Sequence, residues 1–156
     1  MKAKKIIGKL LTAFLLISVG VAVGKEMAMR TFPTAQLPPA ATTGENVIVY
    51  YMHGLPCITC TFIETTAEKI VHEDFAEAVQ AGKMKFVSLN YLESENAALA
   101  DKYNVGENMV IAVRFEDGGE VARVRMDRVM ELASDAKGLE DYLRKGIASA
   151  LEGGGE

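Results

Sequence analysis

The chain has 156 residues and two cysteines, long enough for one domain with a real core but too poor in cysteine for a disulfide framework. Apolar residues make up 49 % and charged residues 24 %, a globular balance that leaves cohesion to hydrophobic burial. The net charge of −4 leaves no basic surface to neutralise phosphates, so no nucleic acid is expected as a partner.

The opening stretch, MKAKKIIGKLLTAFLLISVGVAVGKE, sets Lys2, Lys4, Lys5 and Lys9 ahead of the uncharged residues 10–24. Counted from Ile6, with Lys9 snorkelling, residues 6–24 make about 28 Å of helix, just enough to cross a bilayer core. Gly20-Val21-Ala22 and Ala22-Val23-Gly24 also offer small residues for cleavage, as in a signal peptide. Residues 1–25 are therefore read as a membrane anchor or a signal peptide. In both readings the lysines stay in the cytoplasm and the rest is exported. The anchor reading makes a single-pass cell-membrane protein with its domain on the periplasmic or extracytoplasmic side. Residues 26–45 carry Pro33, Pro38 and Pro39 without periodicity and read as an extended linker.

From Asn46 the pattern becomes that of a folded domain, expected over residues 46–151. NVIVYYM is a β-branched and aromatic run, a buried strand ending at Met52. After His53-Gly54-Leu55-Pro56, the residues Ile63, Ala67, Ile70, Val71, Phe75, Ala78 and Val79 recur at spacings of three and four, one apolar face of a long helix that Gly82 stops. A second strand is expected over 84–92, then a short helix in SENAALADKY. MVIAVRF and EVARVRM form two strands joined by Glu116-Asp117-Gly118-Gly119, a good hairpin turn. In the latter strand Arg123 and Arg125 alternate with apolar residues, which predicts one solvated face. Leu139, Tyr142, Leu143, Ile147 and Leu151 mark an amphipathic closing helix, followed by a glycine-rich flexible tail, residues 152–156. The order β-α-β-α-β-β-α predicts an α/β fold with a mixed four-stranded sheet: a parallel pair with an antiparallel edge. It is the minimal thioredoxin-like order.

Both cysteines lie in HGLPCITC, at the junction of the first strand and the first helix. A Cys-x-x-Cys there is far more specific than the motif alone. Pro56 suits the first turn of a helix. Cys57 then meets the unpaired N–H groups and partial positive charge of the helix N-terminus, which favour a thiolate. Cys60, one turn on, is near enough to form a disulfide. One activated sulfur with one shielded partner suits thiol–disulfide exchange. A purely structural staple is the weakest reading, because the loop it closes is too short to stabilise much. A thiophilic metal or metalloid could instead use His53, Cys57 and Cys60 as three N/S ligands. His53 is otherwise a strand-end residue able to tune Cys57. Glu64 borders the apolar stripe, as a proton relay to Cys60 or as a solvated carboxylate. His72, beside Glu73 and Asp74, reads as a surface residue, and the eight methionines as packing.

The stretch YYMHGLPCITCTFIE resembles a small family of membrane-tethered bacterial thioredoxin-like proteins, labelled ArsF-like or nitrophenyl-compound nitroreductase subunit-like. The match runs through Tyr50, Tyr51, His53, Gly54, Cys57, Thr59, Cys60, Ile63 and Glu64, and extends to KYNV and the closing helix. The resemblance implies a thioredoxin-like fold and brings in Thr59 as a supporting residue. No glycine-rich nucleotide loop or flavin-site pattern accompanies it, so no cofactor is expected. Thioredoxins place a cis-proline before the third strand, facing the cysteines; here Asn108-Met109 stands in that place. A cis peptide without proline costs about 3 kcal/mol, so a trans loop is expected. The departure points to a dedicated redox partner protein bearing a dithiol or disulfide. The expected function is an exported, membrane-tethered thiol–disulfide oxidoreductase, with Cys57 as nucleophile and Cys60 as resolving thiol. The metal-binding module and a redox-inactive partner subunit are the alternatives.

Overall fold

The first strand, β1 (Asn46–His53), is buried along nearly its whole length, as its run of β-branched and aromatic residues demands. The computed structural model describes residues 46–155. The anchor or signal peptide expected over residues 1–25 and the linker over 26–45 lie outside these. Among the described residues no helix is long and apolar enough to cross a membrane.

After β1 come α1 (Ile58–Asp74), α2 (Ala76–Gln80), β2 (Met84–Asn90), α3 (Ala97–Lys102), β3 (Met109–Glu116), β4 (Gly119–Met126), α4 (Val129–Leu132) and α5 (Ala136–Leu151). The sheet order is β2-β1-β3-β4. β1 is parallel to β2 and antiparallel to β3, and β3 is antiparallel to β4. This is a thioredoxin-like α/β fold with a mixed four-stranded sheet, as expected.

Strand alternation divides the interior into two layers. Val47, Val49 and Tyr51 of β1 and Val110 and Ala112 of β3 face α1 and α5, where Ile63, Ala67, Leu139, Leu143 and Ile147 pack. Ile48, Tyr50 and Met52, with Met109, Ile111 and Val113, face Leu99, Ala100 and Tyr103 around α3. Both central strands are thus covered on both faces, which fixes their register, because a one-residue slip would exchange every side chain between layers.

Four local expectations change. The long helix does not run to Gly82: it ends at Asp74, and Phe75 (φ −116°, ψ 27°) separates it from α2. Phe75, Ala78 and Val79 still pack on the same core, so the apolar spacing continues across the break. Gly82, at φ +69°, ends α2 instead, with its N–H on the Val79 carbonyl and that of Lys83 on Ala78. β2 stops at Asn90 rather than Leu92, because the Asn90 side chain accepts the Leu92 N–H at 3.0 Å and turns the chain. Arg123 and Arg125 are half-buried rather than solvated: Arg123 lies over the Tyr103 ring and pairs with Glu120, and Arg125 donates to the Tyr103 carbonyl. The short helix α4 has no counterpart in the sequence reading.

The hairpin and the closing helix are as expected. Asp117 and Gly118 both take positive φ, +50° and +81°, as the turn chemistry requires. Asp135 caps α5 by accepting the Gly138 N–H at 3.0 Å.

Candidate functional site

The chain leaves β1 through Gly54-Leu55-Pro56 and enters α1 at Ile58. Cys57 is the N-cap, with extended backbone (φ −148°, ψ 158°), and its Sγ accepts the Cys60 N–H at 3.0 Å. A sulfur thus takes the place that a serine or aspartate oxygen normally fills, bonded to an N–H the helix cannot satisfy internally. Pro56 is therefore outside the first turn, one residue before the cap and two before the first helical residue, a correction by two positions. The first turn of α1 carries no acidic side chain, so none of its own residues offsets the positive end of the helix beside Cys57.

Cys57 and Cys60 form a disulfide, with Cα atoms 5.0 Å apart. Their surroundings differ sharply. Cys57 is exposed, whereas Cys60 is 6 % exposed. Of the two, Cys57 is the residue open to an external thiolate.

Two residues beyond the motif complete the shell around Cys60. Tyr51, fully buried on β1, donates its hydroxyl to the Cys60 carbonyl at 3.0 Å. Burial first, and the Glu64 charge second, push its pKa up to about 12. Asn108 donates through Nδ2 to Cys60 Sγ at 3.0 Å and accepts the Gly54 N–H through Oδ1 at 2.9 Å. It is delivered by the turn after α3, where Asn104 takes φ +50° and the Val105 N–H bonds back to Ala100. That is the usual glycine ending of a helix, with asparagine in glycine's place. No cis peptide occurs among the described residues, so the loop before β3 is trans, as expected. Sequence reading located Asn108 only as the residue standing where a proline was missed. Its bond to a sulfur 48 positions away has no local signal.

The other predicted residues fall nearby with different parts. His53 stacks on Tyr51, with ring centroids 5.6 Å apart, and its Nδ1 donates to the Gly54 carbonyl at 3.0 Å. That bond points the ring into the strand end. Among the described residues no group of three or more His, Cys, Asp and Glu side chains converges on an ion position. The structure therefore does not assemble His53, Cys57 and Cys60 into the alternative metal site. Thr59 is half-buried between the two sulfurs in the chain, and Glu64 is half-buried one turn beyond Cys60. Glu64's charge is felt at Tyr51. His72 is exposed in the last turn of α1. A Cβ at Gly54 would stand 2.8 Å from the Tyr91 hydroxyl, so the Tyr91 ring would have to shift to admit it.

The chain matches no family model and no curated protein. Among solved structures it is similar to the thioredoxin of Fasciola hepatica at 23 % identity, over 69 % of this chain and 83 % of that one, with a TM-score of 0.40. Similarity to the Malassezia sympodialis thioredoxin is 20 % identity over 64 % of this chain and 80 % of that one, with a TM-score of 0.39. For the oxidised mitochondrial thioredoxin 3 of Saccharomyces cerevisiae the figures are 17 % identity, 65 % and 82 % coverage, and a TM-score of 0.35.

Proposed function

We propose that this protein is an exported, membrane-tethered thiol–disulfide oxidoreductase acting on a dedicated partner protein, in line with the ArsF-like resemblance of residues 50–64. One observation carries the redox reading: a disulfide joins an exposed, helix-capping sulfur to a buried one. The lysine-flanked apolar residues 6–24 support tethering, and Leu55 and Ile58, 77 % and 93 % exposed on either side of Cys57, support a protein partner.

In the reducing direction the Cys57 thiolate attacks one sulfur of the partner's disulfide. The partner's S–S bond breaks, a mixed disulfide forms, and the second partner sulfur leaves as a thiolate. Cys60 then attacks Cys57 Sγ and expels the first partner sulfur. The partner gains two electrons and two protons as a dithiol, and Cys57–Cys60 becomes the disulfide. An external dithiol regenerates the pair, and the reverse sequence oxidises a partner dithiol. The reduction potential selects the direction.

Cys60→Ser is expected to trap a covalent complex with the partner in cells, visible on nonreducing electrophoresis, and Cys57→Ser to trap none. No trapped species from Cys60→Ser would overturn this function.

A further inference from the structure

Each sulfur of the pair has its own hydrogen-bond donor, and the two donors have different origins. Cys57 Sγ receives a backbone N–H from its own helix. Cys60 Sγ receives a side-chain N–H from Asn108, across 48 residues of sequence. The orientation of that amide is not arbitrary. Gly54 N–H is a donor, so the Asn108 atom facing it must be the oxygen, which turns the NH2 group toward the sulfur. Asn108 is also anchored on its C-terminal side, since Met109 is buried and pairs with Met52 across the sheet. The donor is therefore held in place before any reaction begins.

We propose that Asn108 is a catalytic hydrogen-bond donor to the buried sulfur, stabilising Cys60 as the thiolate that leaves when Cys57 is attacked and that attacks when the mixed disulfide is resolved. A disulfide sulfur is a weak acceptor and a thiolate a strong one, so the same contact strengthens as negative charge develops on Cys60. A contact stronger in the transition state than in the resting disulfide accelerates the step. Cys60 is nearly out of water, which makes this donor the counterpart of the solvent and helix N-terminus that serve Cys57. This role rests on the redox reading above.

The test uses full-length oxidised protein and dithiothreitol. One dithiothreitol thiolate attacks Cys57 Sγ and expels Cys60 as a thiolate. The second closes the reagent's ring and releases Cys57, so the reagent is oxidised and the protein gains two electrons. Asn108→Ala is expected to slow this reduction about tenfold, less than the loss of an oxyanion-hole donor costs because sulfur is the weaker acceptor. Asn108→Asp keeps an oxygen for the Gly54 N–H but replaces the donor with a negative charge. It is expected to be slower still, and to shift the equilibrium with dithiothreitol toward the protein disulfide. Wild-type rates in both variants would overturn the proposal. So would a slow Asn108→Ala beside a wild-type Asn108→Asp, the signature of a residue that only holds the loop. Trapping by Cys60→Ser is independent of these rates: trapping with unchanged rates removes this role and leaves the oxidoreductase, whereas slowed rates without trapping remove the oxidoreductase and with it the catalytic role, leaving Asn108 only as a donor to Cys60 in reduction by dithiothreitol.

Discussion

Two loops meet at the end of the sheet where the sulfurs lie, and they contribute in opposite ways. The loop leaving β1, residues 54–57, carries the exposed sulfur and sets it on the helix N-terminus through bonds between residues three apart. The loop entering β3, residues 104–108, carries no sulfur, yet it supplies the side chain that touches the buried one and grips the first loop at Gly54. The first loop is built mainly by local rules, a cap and a helix end, with the Tyr91 hydroxyl lying against Gly54 from further along the chain. The second acquires its part only because β3 lies beside β1 in the sheet. The exposed and the buried sulfur are thus served by separate pieces of chain, joined at Gly54.

The largest expected effect tests the asymmetry itself. In the reduced protein Cys57 should be alkylated by iodoacetamide at least about tenfold faster than Cys60, because it is exposed and sits at the helix N-terminus. Peptide mapping at short reaction times reads the ratio, and equal rates would erase the distinction between the loops.

A steric change at their junction should be next. Gly54→Ala would bring a Cβ to 2.8 Å from the Tyr91 hydroxyl, beside the N–H that Asn108 holds. Overpacking of this kind costs about 1–3 kcal/mol, and urea unfolding should show it together with slower reduction by dithiothreitol. Unchanged stability and rate would mean that the two loops are not coupled through Gly54.

The smallest effect concerns the strand beneath the site. Tyr51→Phe removes a buried hydroxyl that donates to the Cys60 carbonyl, at a cost of about 1 kcal/mol at neutral pH. The pH dependence has a definite sign. Burial raises the Tyr51 pKa from 10.0 to about 12, so the folded state keeps a proton that the unfolded chain has lost. The associated stability is whole below pH 10 and disappears as pH rises toward 12. Tyr50, raised to about 12 by burial and then by Glu120, acts in the same window. Denaturation midpoints should therefore fall between pH 10 and 12 in the wild type and fall less in Tyr51→Phe. Parallel slopes would remove Tyr51 from the balance.

What could be read from the chain followed the range of the forces involved. The β1–α1 junction, the Cys-x-x-Cys at its head, the Asp117-Gly118 turn and the closing helix were legible because each is specified within a few residues, by side-chain period, turn chemistry or capping. The break at Phe75 was hidden because packing on one core face maintains the apolar spacing through it. Arg123 and Arg125 alternate as solvated residues would, and the approach of Tyr103 from elsewhere half-buries them.

The sequence by itself determined where the sulfurs sit, at the head of a helix, and the order of strands and helices along the chain, since side-chain period and turn chemistry are local properties. Tertiary structure alone decided that Cys60 is buried beneath Asn108 and that Tyr51 reaches its carbonyl. Asn108 and Cys60 lie 48 residues apart, and no period or spacing connects them. Their contact exists because the β1–β3 ladder, held by burial on both faces, brings the ends of two loops within a hydrogen bond.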